Sequence, residues 1–230
     1  MPGRMRIAGI GLAGFFCLLG AASVCHGESG DCGGGHAITY QPGRGDVADH
    51  RHVVAARSFS GAGVVHINLN RGEFHLERAQ TNGLLQVEIS SSRPDSQLVR
   101  SLRRFDTGNG NAALDICAEE EDHVVVTVWL PTSTDLKSEI NLGAGTMVLH
   151  ADGIAGDRQV NLGAGTMQVY LAGDHNYASL RMNVGFGHLV DRRSNGRGSY
   201  GITSRTLTGT GSGTIELNVG AGTLELKPAG

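Results

Sequence analysis

From Glu139 onward the chain alternates apolar with polar positions at a period of two. Ile140 and Leu142 flank Asn141, and after a short break Met147 and Leu149 alternate with Thr146 and Val148. Such alternation predicts a strand with one buried face. The break is Gly143-Ala144-Gly145, and the step from Leu142 to Met147 recurs from Leu162 to Met167, Val184 to Leu189 and Val219 to Leu224. One inward column therefore continues across every bend. Glycine on both sides of the bend permits close backbone approach that a side chain would block.

These segments are copies of one unit. Glu139–Met147 recurs as Gln159–Met167, and more loosely as Arg181–Leu189 and Glu216–Leu224, with a weaker early copy at Ile67–Phe74. The repeated positions are Asn141, Gly143 and Gly145, then Asn161, Gly163 and Gly165, then Asn183, Gly185 and Gly187, and finally Asn218, Gly220 and Gly222. One such unit cannot bury its apolar face alone. Stacking the units buries a continuous core, which predicts an all-β, single-domain β-solenoid or β-roll of short strands with Gly-x-Gly bends. The four asparagines alternate with inward residues and are expected to form a ladder of mutually bonded amides, a structural role rather than a binding one.

The first half is strand-rich as well. Strands are expected at Val53–Phe59, Val64–Leu69, Glu73–Arg78, Leu84–Ile89, Ala113–Cys117 and His123–Leu130, the last stopped by Pro131, which denies the ladder a donor. Leu98, Leu102 and Phe105 lie at helical spacing and predict a short helix over Ser96–Phe105, capped by Asp95 or Ser96. Residues 28–50, with Gly33, Gly34, Gly35, Gly43 and Gly45, read as a flexible glycine-rich lead-in to one domain over 51–230.

Val124–Pro131, the two Asn-Leu-Gly-Ala-Gly-Thr-Met repeats and the closing segment Ile215–Lys227 resemble the bacterial putative-adhesin family, envelope proteins with a stacked-strand "toast-rack" domain. The paired segments Val64–Leu69 and Glu73–Arg78 fit that family's opening. The resemblance covers about residues 53 to 227. It implies a right-handed solenoid-like β fold, export, and no established catalytic residues.

Arg4 and Arg6 precede an apolar run from Ile7 to Val24 that ends in small residues, the pattern of a secretory signal peptide over residues 1–27. An uncleaved anchor and a lipidated Cys25 are the alternatives. Removing that segment takes away Cys17 and Cys25 and leaves Cys32 and Cys117, an even pair in an oxidising compartment. Bridged, they would close a loop of about 85 residues, worth roughly 4–5 kcal/mol in the chain-entropy picture.

Composition narrows the classes further. The chain holds 36 glycines in 230 residues without a Gly-X-Y period, is 40% hydrophobic and carries a net charge of -3. Collagen, disorder and a coiled coil are excluded, and no basic footprint for nucleic acid exists.

Candidate chemistry mostly fails on inspection. Gly-Ala-Gly is followed by a strand where a dinucleotide site needs a helix, and the bends lack the aspartates of calcium-binding repeats. His50 and His52 sit at i and i+2 without a third zinc ligand, and Cys32 with His36 competes against the disulfide. Glu119-Glu120-Glu121-Asp122 reads as a solvated turn, and Arg44-Gly45-Asp46 as a chance tripeptide in an exposed loop. His66, His75, His150, His175 and His188 are dispersed and expected to face solvent. Neither G-x-S-x-G nor H-E-x-x-H occurs. Tyr170, Tyr177, Phe186 and Tyr200 are aromatics among polar repeats that could stack on sugar rings; Tyr170 and Phe186 could instead fill the core.

The expectation is a non-catalytic, exported envelope protein of the periplasm or cell surface, without cofactor or metal, acting as a scaffold or adhesion surface for an envelope protein or polysaccharide. A carbohydrate-active enzyme on the same scaffold and an envelope-stress sensor are the competing readings.

Overall fold

The computed structural model describes residues 43, 45–49, 51–60, 63–80, 83–93, 98–118, 123–133, 135–152, 154–193, 198–200 and 203–229. The first strands are β1 (Val47–Ala48), β2 (His52–Ser58), β3 (Gly63–Arg78) and β4 (Leu84–Ser91), followed by a single helical turn, Leu98–Ser101. Then come β5 (Leu102–Gly108), β6 (Asn111–Ile116), β7 (Val124–Leu130), β8 (Leu136–His150) and β9 (Asp157–Leu171). A short 3-10 turn, Asp174–Asn176, precedes β10 (Ser179–Asp191), β11 (Gly198–Tyr200), β12 (Ser204–Thr208) and β13 (Thr214–Pro228). The architecture is all-β, and the sheet is open rather than closed. Among the described residues no helix is long and apolar enough to cross a membrane.

The repeat units are long strands that run through their glycine corners: β3, β8, β9, β13 and β10 pair in parallel and in register along their whole length. Each has a first arm before the corner and a second arm after it. The stack forks at β3, whose first arm pairs with β6 and whose second arm pairs with β7. The early copy is a full member of the stack, for Asn68 lies opposite Asn141 and Gly72 opposite Gly145.

Inward residues from both arms form one core. Leu142, Leu162, Val219 and Val184 are at most 2% exposed, and beyond the corner Met147, Met167, Leu224 and Leu189 are fully buried. The corner itself demands glycine. At Gly165 the backbone has φ +135°, and an added Cβ would lie 1.8 Å from the Gly145 carbonyl oxygen below it.

Three features differ from the sequence expectation. First, the stack does not follow chain order: the sequence is β3-β8-β9-β13-β10, with β13 between β9 and β10. The free edge of β10 is taken by antiparallel strands, β12 along Ser179–Asn183 and β11 along Leu189–Asp191. Covering an edge in this way blocks intermolecular strand pairing. Second, of the helix expected over Ser96–Phe105 the described residues show one turn, Leu98–Ser101, the Asp95 or Ser96 cap lying outside them, and Leu102 onward is strand because it pairs with β6 across a bulge at Leu102/Arg104. Leu98, Leu102 and Phe105 are buried nonetheless, so helical spacing caught the inward residues and missed their backbone. Third, pairing begins inside the stretch read as lead-in: β1 pairs with β2, and Arg57 holds Asp46 at 2.8 Å.

Candidate functional site

Alternation places the polar half of each repeat on the outside, so the candidate surface consists of ranks running across the strands. On the first arm the rank is amide. Asn183 donates to Asn218 at 2.8 Å, Asn218 to Asn161 at 2.9 Å, Asn161 to Asn141 at 2.8 Å and Asn141 to Asn68 at 2.9 Å. Every amide is consumed by its neighbours.

The second arm carries the most varied chemistry. Gln86, Trp129, Glu77, His150, Tyr170 and Lys227 occupy one outward rank across β4, β7, β3, β8, β9 and β13. His150 stacks on Tyr170 with ring centroids 4.7 Å apart and planes within 4°. The Lys227 ammonium lies 5.4 Å from the Tyr170 ring centroid and donates to Gln168 at 3.0 Å. Both flanks of the Tyr170 ring are therefore occupied, and what it offers solvent is its edge and hydroxyl. A parallel rank nearer the corner is Glu73, Thr146, Thr166, Thr223 and His188.

Charge on these faces is settled in pairs. His52 meets Glu88 at 2.9 Å, His66 meets Glu139 at 3.2 Å, His75 meets Glu73 at 2.6 Å and His150 meets Glu77 at 3.6 Å. All are partly exposed, and such pairs contribute little stability. Among the described residues no group of three or more His, Cys, Asp or Glu is placed to hold a metal ion.

The aromatics part company. Tyr177 is fully buried, Phe186 is 82% exposed at the β10 corner, and Tyr200 pairs its backbone with Leu189. A common sugar-stacking surface of these four is thus corrected: Tyr177 belongs to the core, and neighbours flank the Tyr170 ring. His188 lies exposed on β10 and His175 in the 3-10 turn. Asp46 of the Arg-Gly-Asp tripeptide has a carboxylate 3% exposed and held by Arg57, so it is unavailable to a partner. Asp49 accepts from the backbone N–H groups of Arg51 and His52, which hold its carboxyl below the ordinary value. The signal segment, Cys32, His36, His50 and Glu119–Asp122 lie outside the described residues.

One polar cluster has no signature in the sequence. Asp191 takes an inward position at the end of β10, opposite Leu226, and Arg193 grips it with two bonds of 3.0 Å from Nε and Nη2. Arg193 also donates to the Tyr177 hydroxyl at 3.2 Å, and that hydroxyl donates to Asp174. Burial raises the Tyr177 pKa, and the Asp174 hydrogen bond adds to the effect. Burial works against the Arg193 cation, but its bonds to Asp191 and Tyr177 outweigh burial and hold its pKa above the ordinary value. The cluster ties the 3-10 turn to the end of β10.

No family model and no curated protein matches this chain. Among solved structures it is similar to a putative cell adhesion protein from Clostridium sporogenes ATCC 15579, at 12% identity and a TM-score of 0.50, over 77% of this chain and 99% of that one. It is also similar to putative adhesins from Parabacteroides merdae ATCC 43184 (10% identity, TM-score 0.25, 77% and 82% covered) and Parabacteroides distasonis ATCC 8503 (10%, 0.25, 78% and 98%). The likeness to the Clostridium sporogenes protein establishes the fold that the two chains share.

Proposed function

We propose that this protein is a non-catalytic, exported β-solenoid of the cell envelope, whose second-arm face binds a polysaccharide or another envelope component. The observation that carries the reading is the outward rank Trp129–Glu77–His150–Tyr170–Lys227, contributed by five adjacent strands and anchored through them to one core. Side chains on rigid elements lose little entropy when they bind. With the flanks of Tyr170 occupied, the ligand meets hydroxyl, amide and ammonium groups, and recognition runs through hydrogen bonds to sugar hydroxyls or carboxylates rather than ring stacking. The fold shared with the putative cell adhesion protein from Clostridium sporogenes supports a binding role.

Three further parts belong to the reading: cleavage of a signal peptide at about residue 27, a domain over residues 51–230, and a Cys32–Cys117 disulfide that staples the N-terminal segment to the end of β6. The test is binding of the purified protein to a panel of envelope and host polysaccharides, with Lys227→Ala and His150→Ala as variants. Retained binding by at least one glycan, weakened tenfold or more in either variant, is expected. Undiminished binding in both variants overturns the choice of face, and released sugar that an acidic-residue variant abolishes overturns the non-catalytic reading.

A further inference from the structure

The first arm's inward ranks are apolar except at one place. Val65, Ser138, Arg158, Ile215 and Leu180 share a rank across β3, β8, β9, β13 and β10, and Ser138 lies directly opposite Arg158. Arg158 and Ser138 are each 4% exposed. Nε, Nη1 and Nη2 of Arg158 and Oγ of Ser138 have no hydrogen-bond partner among the described residues. Elsewhere the fold pairs its buried ions: Asp191, at the end of β10, has Arg193 at 3.0 Å and Arg205 at 3.7 Å.

A buried charge without a hydrogen-bonded ion-pair partner is among the costliest states a core can hold. The guanidinium does not escape by losing its proton, because burial lowers its pKa only to about 10, with the neighbouring Asp157 charge opposing. Three nitrogens in a planar fork match the two oxygens of a carboxylate or phosphate. The Ser138 hydroxyl, one strand away, supplies a further donor.

We propose that Arg158 and Ser138 form an internal site for one small oxyanion, bound by the guanidinium fork and the serine hydroxyl and neutralising the buried cation. The site is independent of the binding face on the second arm and bears on how the stack is stabilised.

Thermal unfolding of the full chain in acetate, phosphate and chloride series at matched ionic strength tests it. The expected result is a midpoint rise of about 3 °C or more in acetate or phosphate. The rise is absent in Arg158→Met and reduced in Ser138→Ala, and the responding series tells carboxylate from phosphate. No response in the wild type, or equal responses in wild type and Arg158→Met, overturns the site. A chloride response as large as that of either oxyanion overturns the oxyanion assignment. Should Arg158→Met fail to fold, Ser138→Ala decides alone, and an undiminished response there overturns the proposal.

Discussion

Asn68 donates its side-chain amide to the Asp115 carboxylate at 2.6 Å. That bond sets the direction of the ladder behind it, because a carboxylate only accepts. Asn68 must turn its nitrogen to Asp115 and its oxygen to Asn141, and the same constraint passes to Asn161, Asn218 and Asn183. At the far end the Ser204 hydroxyl donates to Asn183 at 2.9 Å. The ladder is a polarised chain with a donor cap and an acceptor cap, an arrangement in which neighbouring bonds strengthen one another.

Breaking the ladder at its centre therefore costs more than one bond. Asn161→Ala removes the acceptor for Asn218 and the donor to Asn141, and a loss of about 1–3 kcal/mol is expected in denaturant unfolding. Gln159→Ala, at an exposed position in the same strand, is expected to stay within about 0.5 kcal/mol. Equal effects of the two would show that the ladder adds nothing.

The corner tolerates no side chain. Gly165→Ala sets a Cβ against a backbone oxygen that cannot retreat, since the next strand lies against it. Loss of folded protein, or a drop of about 4 kcal/mol or more, is expected. Gly83 also has a positive φ, +86°, but an added Cβ meets nothing within 4 Å. Gly83→Ala should cost only about 1–2 kcal/mol of backbone strain.

Alkaline pH probes the Tyr177 cluster. A tyrosine whose pKa is raised in the fold binds more protons folded than unfolded above pH 10, so its stabilisation is present below that pH and lost above it. Arg158 acts in the opposite sense over the same range, because its depressed pKa of about 10 relieves the burial penalty as it deprotonates. The diagnostic is the difference between wild type and Tyr177→Phe. Stability of the wild type should fall more steeply above pH 10, and parallel curves would refute the assignment.

The disulfide is a chemical prediction. Non-reducing peptide mapping of protein produced in an oxidising compartment should recover Cys32 linked to Cys117, and Cys117→Ser should lower stability by about 2–5 kcal/mol. Free thiols at both positions would remove the staple from the reading.

Phe186 offers a contrast of surface against core. At 82% exposure, Phe186→Ser should leave stability within about 0.5 kcal/mol, while Phe74→Ser, fully inside the second arm, should unfold the stack. A large loss from the first would place the β10 corner inside an interface.

What the amino-acid order determined by itself is local: the period-two alternation, the glycine corners, the inward residues on either side of them and the amide ranks that alternation creates. Each depends on neighbours within one repeat, so a single copy is enough to read it. What only the tertiary structure decided is which copy lies beside which. Asn161 can pair equally well with Asn183 or Asn218, because the repeats present the same side chains at the same steps. The choice falls to the segment between β10 and β13, which folds back as β11 and β12 onto the outer edge of β10 and leaves β13 the place between β9 and β10. The orphaned Arg158 was illegible for the same reason, since the residues beside it, Ser138 and Ile215, come from other strands, and the Tyr177–Arg193–Asp191 cluster was illegible because only the fold turns the 3-10 turn back onto the end of β10.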